Sequence, residues 1–230
     1  MIAIEKTEVV GWEHAIRGMR NPMNSWDKSD SYPAVDCGKC GKIEREGICR
    51  KEDRDCTGFY CYDIGFNDMA LMQKLAKAGT DHRKFMRMIV VYCDITAPLY
   101  WWKEFDTYKV GTVANSCSTM HKIHAKEFTL DDFSHEHLCD NSLKTLQAVI
   151  DNLNIERKNF LFTKDKWCWW QMIQLLPSSY NQKRTVLLNY EVLANIYKWR
   201  KNHKLDEWRD LCRWIEQLPY SNVIVEKGGE

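Results

Sequence analysis

Apolar residues recur along this chain in two rhythms. One has the 3.6-residue period of a helix that buries a single face, and the other consists of short β-branched runs. From Asn67 onward the helical rhythm dominates. Asn67 is placed to cap a helix, Asp68 suits its first turn, Leu71 and Leu75 share a face, and Gly79 ends it. Met88-Ile89-Val90-Val91-Tyr92-Cys93-Asp94-Ile95 reads as a strand from its β-branched content. Ala97-Pro98 then opens a helix, because proline is tolerated in a first turn. Thr107 to Thr119 is rich in small polar residues and predicts irregular backbone. A polar link at Asp131–Asn141 precedes a helix near Leu143–Leu153, and another runs near Trp167–Leu176, stopping before Pro177. Asn189 can cap a helix over Tyr190–Lys201, and a last amphipathic helix spans Leu205–Leu218 before Pro219. The fold class expected is α+β, mainly helical with a small antiparallel sheet.

Between Cys37 and Cys61 the chain is polar, rich in glycine and charge, and poor in aliphatics, which reads as an inserted loop or lobe within a single domain covering residues 1–230. Apolar residues make up 44% of the 230, so a substantial core is available. Lysine and arginine total 33 against 32 acids, a net charge of +1, so no global field argues for nucleic acid or an anionic membrane as partner. Any anion must be held by local arrangement. The longest apolar run, Met88 to Tyr92, is far short of the roughly 20 residues that span a bilayer. The first residues carry acids early and no continuous apolar run, so no signal peptide is expected. The ten cysteines are then best read as reduced thiols of a cytoplasmic protein.

Three constellations carry chemistry. The first runs from Trp101-Trp102-Lys103-Glu104-Phe105-Asp106-Thr107-Tyr108-Lys109 into Gly111-Thr112-Val113-Ala114-Asn115-Ser116-Cys117-Ser118-Thr119-Met120-His121. A helix with alternating charges leads into a loop of small hydroxyls. Backbone N–H groups with Ser116, Ser118 and Thr119 can hold a phosphate, with Lys109 supplying charge; an ordinary loop that satisfies its own backbone has the same composition. Cys117 has no evident base beside it, which argues against a nucleophile. The second is Leu176-Pro177 followed by Asn189, Asn195 and Arg200: amides suit the edge of a heterocycle and arginine a phosphate, although a cap and two surface groups account for them equally. The third is Cys37-Gly-Lys-Cys40, spaced like a zinc knuckle, with Cys49 and Cys56 as further thiolates; unligated thiols are the alternative. The aromatic runs at residues 100–102 and 167–170 fit either core packing or a stacking surface.

The first two constellations together resemble the flavin-dependent thymidylate synthases, over about residues 79–209. That family has a histidine before a strand, an Ala-Pro pair opening a helix, an Arg-His-Arg signature, a run Asn-Glu-x-Ser-x-Arg-Tyr, then Leu-Pro and Asn-x-Arg-x-Leu-x-Asn. Here His82, Ala97-Pro98, Asn115 to His121, Leu176-Pro177 and Asn189 to Asn195 follow in that order. The resemblance implies FAD, reduced nicotinamide (NADPH) and methylene-tetrahydrofolate, a pyrimidine nucleotide such as dUMP, and a homotetramer. It implies flavin contacts for Lys109, Asn115, Asn189 and Asn195, and substrate contacts for Glu104, Ser116, Ser118 and Arg200. The signature itself is not retained. Thr107 and Tyr108 replace two of its members, Ser116 replaces the glutamate, Met120 an arginine, and Glu191 stands where a flavin-site arginine would be. Lys103, Lys122 and Arg184 are available as replacement cations. The function expected is FAD-dependent methyl transfer to a pyrimidine deoxynucleotide, with loss of flavin in a nucleotide-binding protein as the alternative.

Overall fold

The computed structural model describes residues 2–36 and 59–225. In chain order its elements are β1 (Ala3–Val10), α1 (Trp12–Arg20), β2 (Tyr32–Asp36), β3 (Phe59–Asp63), α2 (Phe66–Lys77), β4 (Val90–Pro98), α3 (Leu99–Phe105), β5 (Val113–Ser116), α4 (Asp140–Thr163), α5 (Lys166–Leu175), β6 (Asn181–Asn189), α6 (Tyr190–Arg200) and α7 (Asp206–Glu216). About half is helical, with a small sheet, as the α+β expectation required. The chain divides into two compact units: one of Met1–Glu8, Val91–Leu188 and Val192–Pro219, the other of Val9–Val90, Asn189–Glu191 and Tyr220–Glu230.

In the first unit the sheet order is β1-β4-β6-β5. β4 is an inner strand, and Val91, Cys93, Ile95 and Ala97 are buried at alternate positions, the period-two signature of a pleated face. It starts two residues later than the apolar run implied and continues through Pro98, so the helix expected from Ala97-Pro98 begins at Leu99. β5 pairs antiparallel with β6, setting Asn115 opposite Thr185 and Ser116 opposite Arg184; the stretch expected to be irregular therefore contains an edge strand. α4 reaches ten residues beyond its expected end at Leu153, since no breaker intervenes before Lys164, which closes it in the left-handed conformation (φ 60°). Asp165 then caps α5 by accepting from the Trp167 N–H at 2.9 Å. The hairpin of these helices buries Leu146, Ile150, Leu153 and Met172 against Ile123, Phe128 and Phe133. Each such side chain contributes about 1.5–3 kcal/mol when fully buried. The same helices pin the polar segment before them: Asn154 exchanges two hydrogen bonds with the Phe128 backbone, and Trp169 donates to the Met120 carbonyl at 2.9 Å.

The second unit is organised around Asp68. This carboxylate is fully buried, and it accepts from Arg20 Nε at 2.6 Å, Ser29 Oγ and Ser31 Oγ at 2.7 Å each, and the Asp30 N–H at 3.1 Å. Helix α2 starts at Phe66, so Asn67 is not its cap. Asp30, far away in sequence, caps it instead, accepting from the N–H groups of Asn67 and Asp68 at 2.8 and 3.1 Å. Gly65 permits that approach, because a Cβ there would lie 2.2 Å from the Asp30 carboxyl carbon. The turn from β1 into α1 likewise needs Gly11, at φ +97° with the Met88 carbonyl 2.1 Å from a notional Cβ.

Burial pushes Asp68 upward, but hydrogen bonds from Ser29, Ser31 and Arg20 outweigh it and hold the carboxyl below the usual range. A depressed folded value gives stability that is present above the unfolded value near ~4 and is lost as pH falls through the folded one. Asp68→Ala is expected to cost about 3–5 kcal/mol, since it strands a buried guanidinium. Its denaturant midpoint should fall accordingly, and the wild-type advantage over the variant should shrink in acid below that pH.

Candidate functional site

Helix α3 carries two kinds of residue on opposite sides. Trp101, Trp102 and Phe105 are buried, while Glu104 and the following Asp106 reach outward. The Trp101 ring lies 4.8 Å from Trp102, 5.1 Å from Phe105 and 4.9 Å from Trp208 of α7. The aromatic run is therefore core, as one of the two expectations had it. The helix start is satisfied from a distant turn: Leu99 and Tyr100 donate their N–H groups to the carbonyls of Tyr180 and Ser178, both at 3.0 Å.

Two arginines sit on this aromatic base. Arg200, at the end of α6, lies 4.6 Å over the Trp208 ring and 5.8 Å from that of Tyr108. Its Nε donates to Tyr108 Oη at 3.0 Å and its Nη1 to Glu104 Oε2 at 2.8 Å. The same oxygen accepts from Trp208 Nε1 at 3.0 Å and lies 3.6 Å from His203 Nε2. Arg184 of β6 lies 4.1 Å over Trp102, donating Nη1 to Asp106 at 2.7 Å and Nε to Gln182 Oε1 at 3.0 Å. Gln182 is itself buried and passes its amide N–H to the Cys117 carbonyl at 2.7 Å. Each guanidinium is thus stacked, hydrogen-bonded and paired with one carboxylate, with Nη2 carrying no partner among the described contacts.

Beyond Gln182 a cavity of about 310 Å³ opens, lined among others by Cys117, Ser118, Thr119, Asn181, Gln182 and Lys183. The loop that borders it is braced internally. Ser118 Oγ accepts from the N–H groups of Met120 and His121 at 3.2 and 2.9 Å, and the Cys117 N–H goes to the Lys183 carbonyl at 2.9 Å. Those three N–H groups are committed to the protein, and Lys183 is paired with Glu5 at 2.9 Å and Asp94 at 3.5 Å, so a ligand in this loop meets the Ser118 and Thr119 hydroxyls, with Lys126, Asp131 and Asp132 also in the lining.

Of the residues singled out from sequence, Glu104 and Arg200 are brought into direct contact, and Ser118 borders the cavity. Asn115 and Ser116 stand on the exposed edge strand, Lys109 is exposed in the segment before it, and Asn195 is exposed on α6. Asn189 is buried and belongs to the other compact unit. Cys37, Cys40, Cys49 and Cys56 lie outside the described residues. Among the described residues no group of three or more His, Cys, Asp or Glu is placed to hold a metal; His137 pairs with Asp206 at 3.0 Å. Gln182 carried no motif and could not be found by pattern, whereas Arg184 was visible as a replacement cation without a place.

No protein-family model matches the chain, and no curated protein matches it in sequence. Among solved structures it is similar to thymidylate synthase X from Helicobacter pylori, crystallised with FAD and dUMP. The TM-score is 0.63 at 14% identity, covering 99% of this chain and 98% of that one. A second structure of the Helicobacter pylori enzyme with the same ligands gives 0.64 at 14%, covering 97% of each chain. The chain has the fold of the flavin-dependent thymidylate synthases. Within this thymidylate synthase fold, Tyr108 occupies the middle of the segment matched to the lost Arg-His-Arg signature, and it serves as the acceptor for Arg200.

The thiols differ in exposure and in ease of ionisation. Burial pushes Cys93 up to about 12 and Cys212 up to about 11, while Cys139 is exposed and held below its ordinary value by hydrogen bonding to Ser142. Brief iodoacetamide labelling of the native protein at pH 8, read by peptide mass spectrometry, should modify Cys139 and the exposed Cys117 and leave Cys93 and Cys212 unmodified until denaturation.

Proposed function

We propose that this protein binds FAD and a pyrimidine deoxynucleotide such as dUMP, and that it carries out thymidylate synthase-like methyl transfer in the cytoplasm. The observation that carries this reading is the full-length fold similarity, which leaves almost no part of either chain unmatched. Bound flavin would supply the redox chemistry, with NADPH and methylene-tetrahydrofolate entering as co-substrates of the same reaction. The chain's own residues bind and orient. Arg200 is the nucleotide's charged contact: Tyr108 and Glu104 fix its Nε and Nη1, leaving Nη2 for a phosphate or base oxygen. Ser118 adds a hydroxyl donor, and Ser116 lies two positions before it on β5. Lys109, Asn115 and Asn195, and separately Asn189 in its own unit, are proposed as flavin contacts, since a cation and amides suit an anionic, heterocyclic group.

One observation favours a second reading, a nucleotide-binding protein without flavin. Arg200 and Arg184 are each matched by a carboxylate, so the segment that lost its signature cations is not strongly cationic as folded. Visible absorption separates the two. On the first reading, purified protein carries flavin or takes up added FAD, and titrated dUMP perturbs the flavin spectrum. Folded protein that takes up no flavin but still binds dUMP leaves the second reading standing alone. In either case Arg200→Gln should weaken dUMP binding about tenfold or more, the value of a charged hydrogen bond.

The chain is proposed to assemble as a homotetramer. Supporting this, the α4–α5 hairpin leaves Phe162 at 91%, Trp167 at 69% and Ile155 at 56% exposure, apolar surface that costs solubility if it stays wet. Light scattering should give a mass near four chains, and Trp167→Glu should lower it while the circular dichroism spectrum is retained. Among the described residues no helix is long and apolar enough to cross a membrane.

A further inference from the structure

The 3-10 turn Lys84–Met88 buries Phe85 and Met86 and thereby turns its basic residues away from the core. Arg83 and Arg87, four positions apart, converge on one carboxylate in their own compact unit. Arg83 Nε donates to Glu191 Oε1 at 3.3 Å, and Arg87 Nε donates to Glu191 Oε2. Glu191 is itself fixed. Its side chain is only 12% exposed, and it follows Tyr190, whose N–H donates to the Ile89 carbonyl at 3.0 Å and whose ring meets Trp12 edge-on at 5.2 Å. Burial pushes Glu191 up, but hydrogen bonds from Arg87 and Arg83 hold it below its ordinary value, so the carboxylate stays ionised.

Two features make this more than a surface ion pair. Two guanidinium groups, not one, converge on the Glu191 carboxylate, and the Asp81 carboxylate also acts on Arg87. In addition, both arginines are held through Nε, so among the described contacts the Nη1 and Nη2 edges of both have no partner. Each edge is a planar fork suited to one phosphoryl group, and a shared carboxylate keeps the two forks a fixed distance apart. A single phosphate uses one fork. Two linked phosphates use both.

We propose that Arg83 and Arg87, positioned by Glu191, bind the diphosphate of a nucleotide cofactor. This rests on the flavin reading and names the residues that hold that cofactor's diphosphate, in a position where the resemblance put an arginine at 191 and the chain instead has a glutamate with two arginines upon it.

The test is equilibrium binding of FAD, riboflavin, ADP and dUMP to the full chain and to Arg83→Gln and Arg87→Gln. Arg87 is 56% exposed, so its substitution leaves folding intact, which the unfolding midpoint checks. Each variant should lose about tenfold or more in affinity for FAD and for ADP. Riboflavin, which has no diphosphate, and dUMP should bind as in the wild type. If the wild type binds FAD and both variants match it, the arginine site is wrong and the flavin reading survives. If the wild type takes up no FAD, the flavin reading fails, and ADP decides the site: binding that drops in the variants keeps it as a diphosphate site, and binding that is absent or unchanged overturns it.

Discussion

Glu104 Oε2 is the atom on which the candidate site turns. It receives the Trp208 indole N–H and the Arg200 guanidinium together, and so joins α3, α6 and α7 at one point. The apolar side of the same helix makes this possible. Trp101 and Phe105 pack against Trp208, which brings its indole nitrogen within reach of a carboxylate one turn along. Packing of these three aromatic rings sets the position; the hydrogen bonds then fix the orientation. An aromatic core without Glu104 would leave the Trp208 N–H without that acceptor, and Glu104 without the core would be a solvated side chain with no fixed direction.

Pairing of arginine with carboxylate recurs through the chain, but burial decides what each pair does. Arg20 with Asp68 is shut away from water and ringed by serine hydroxyls, so it governs the stability of its unit. The pairs at Arg184 and Arg200 are partly exposed, and pairs of that kind contribute about 0–1 kcal/mol. Their consequence is directional. Each holds a guanidinium over an indole with one edge left over, without strengthening the fold much. Arg83 and Arg87 are likewise partly exposed and share the Glu191 carboxylate.

The departures from the thymidylate synthase signature acquire a physical sense in this setting. Tyr108 keeps a ring beside Arg200 and offers its oxygen as an acceptor to the guanidinium. Residues 107 and 108 carry no cation, and arginines on β6 and at the end of α6 pair with the acids just before them, Asp106 and Glu104.

Much of the helical content was legible in the chain, because α2, α5, α6 and α7 each bury one face and stop at a glycine, a proline or a polar break that local backbone chemistry imposes. The β4 strand was legible from its β-branched run. The order of Ala-Pro, Leu-Pro and the spaced asparagines carried the fold, since those residues fix where strands end and helices begin. β1, α1 and β6 were not legible: β6 reads Asn-Gln-Lys-Arg-Thr-Val-Leu-Leu-Asn, and only its place inside the sheet makes it a strand. The cap on α2 escaped for the same reason, since Asp30 supplies it from 36 residues upstream of Phe66. Sequence determined which residue types were available to the site: a glutamate, an arginine, small hydroxyls and amides. Tertiary structure alone decided that Glu104 and Arg200 neutralise one another, that Arg184 lies on Trp102, and that two arginines share Glu191. A charge's partner is set by where distant segments meet, and local periodicity carries no record of that meeting.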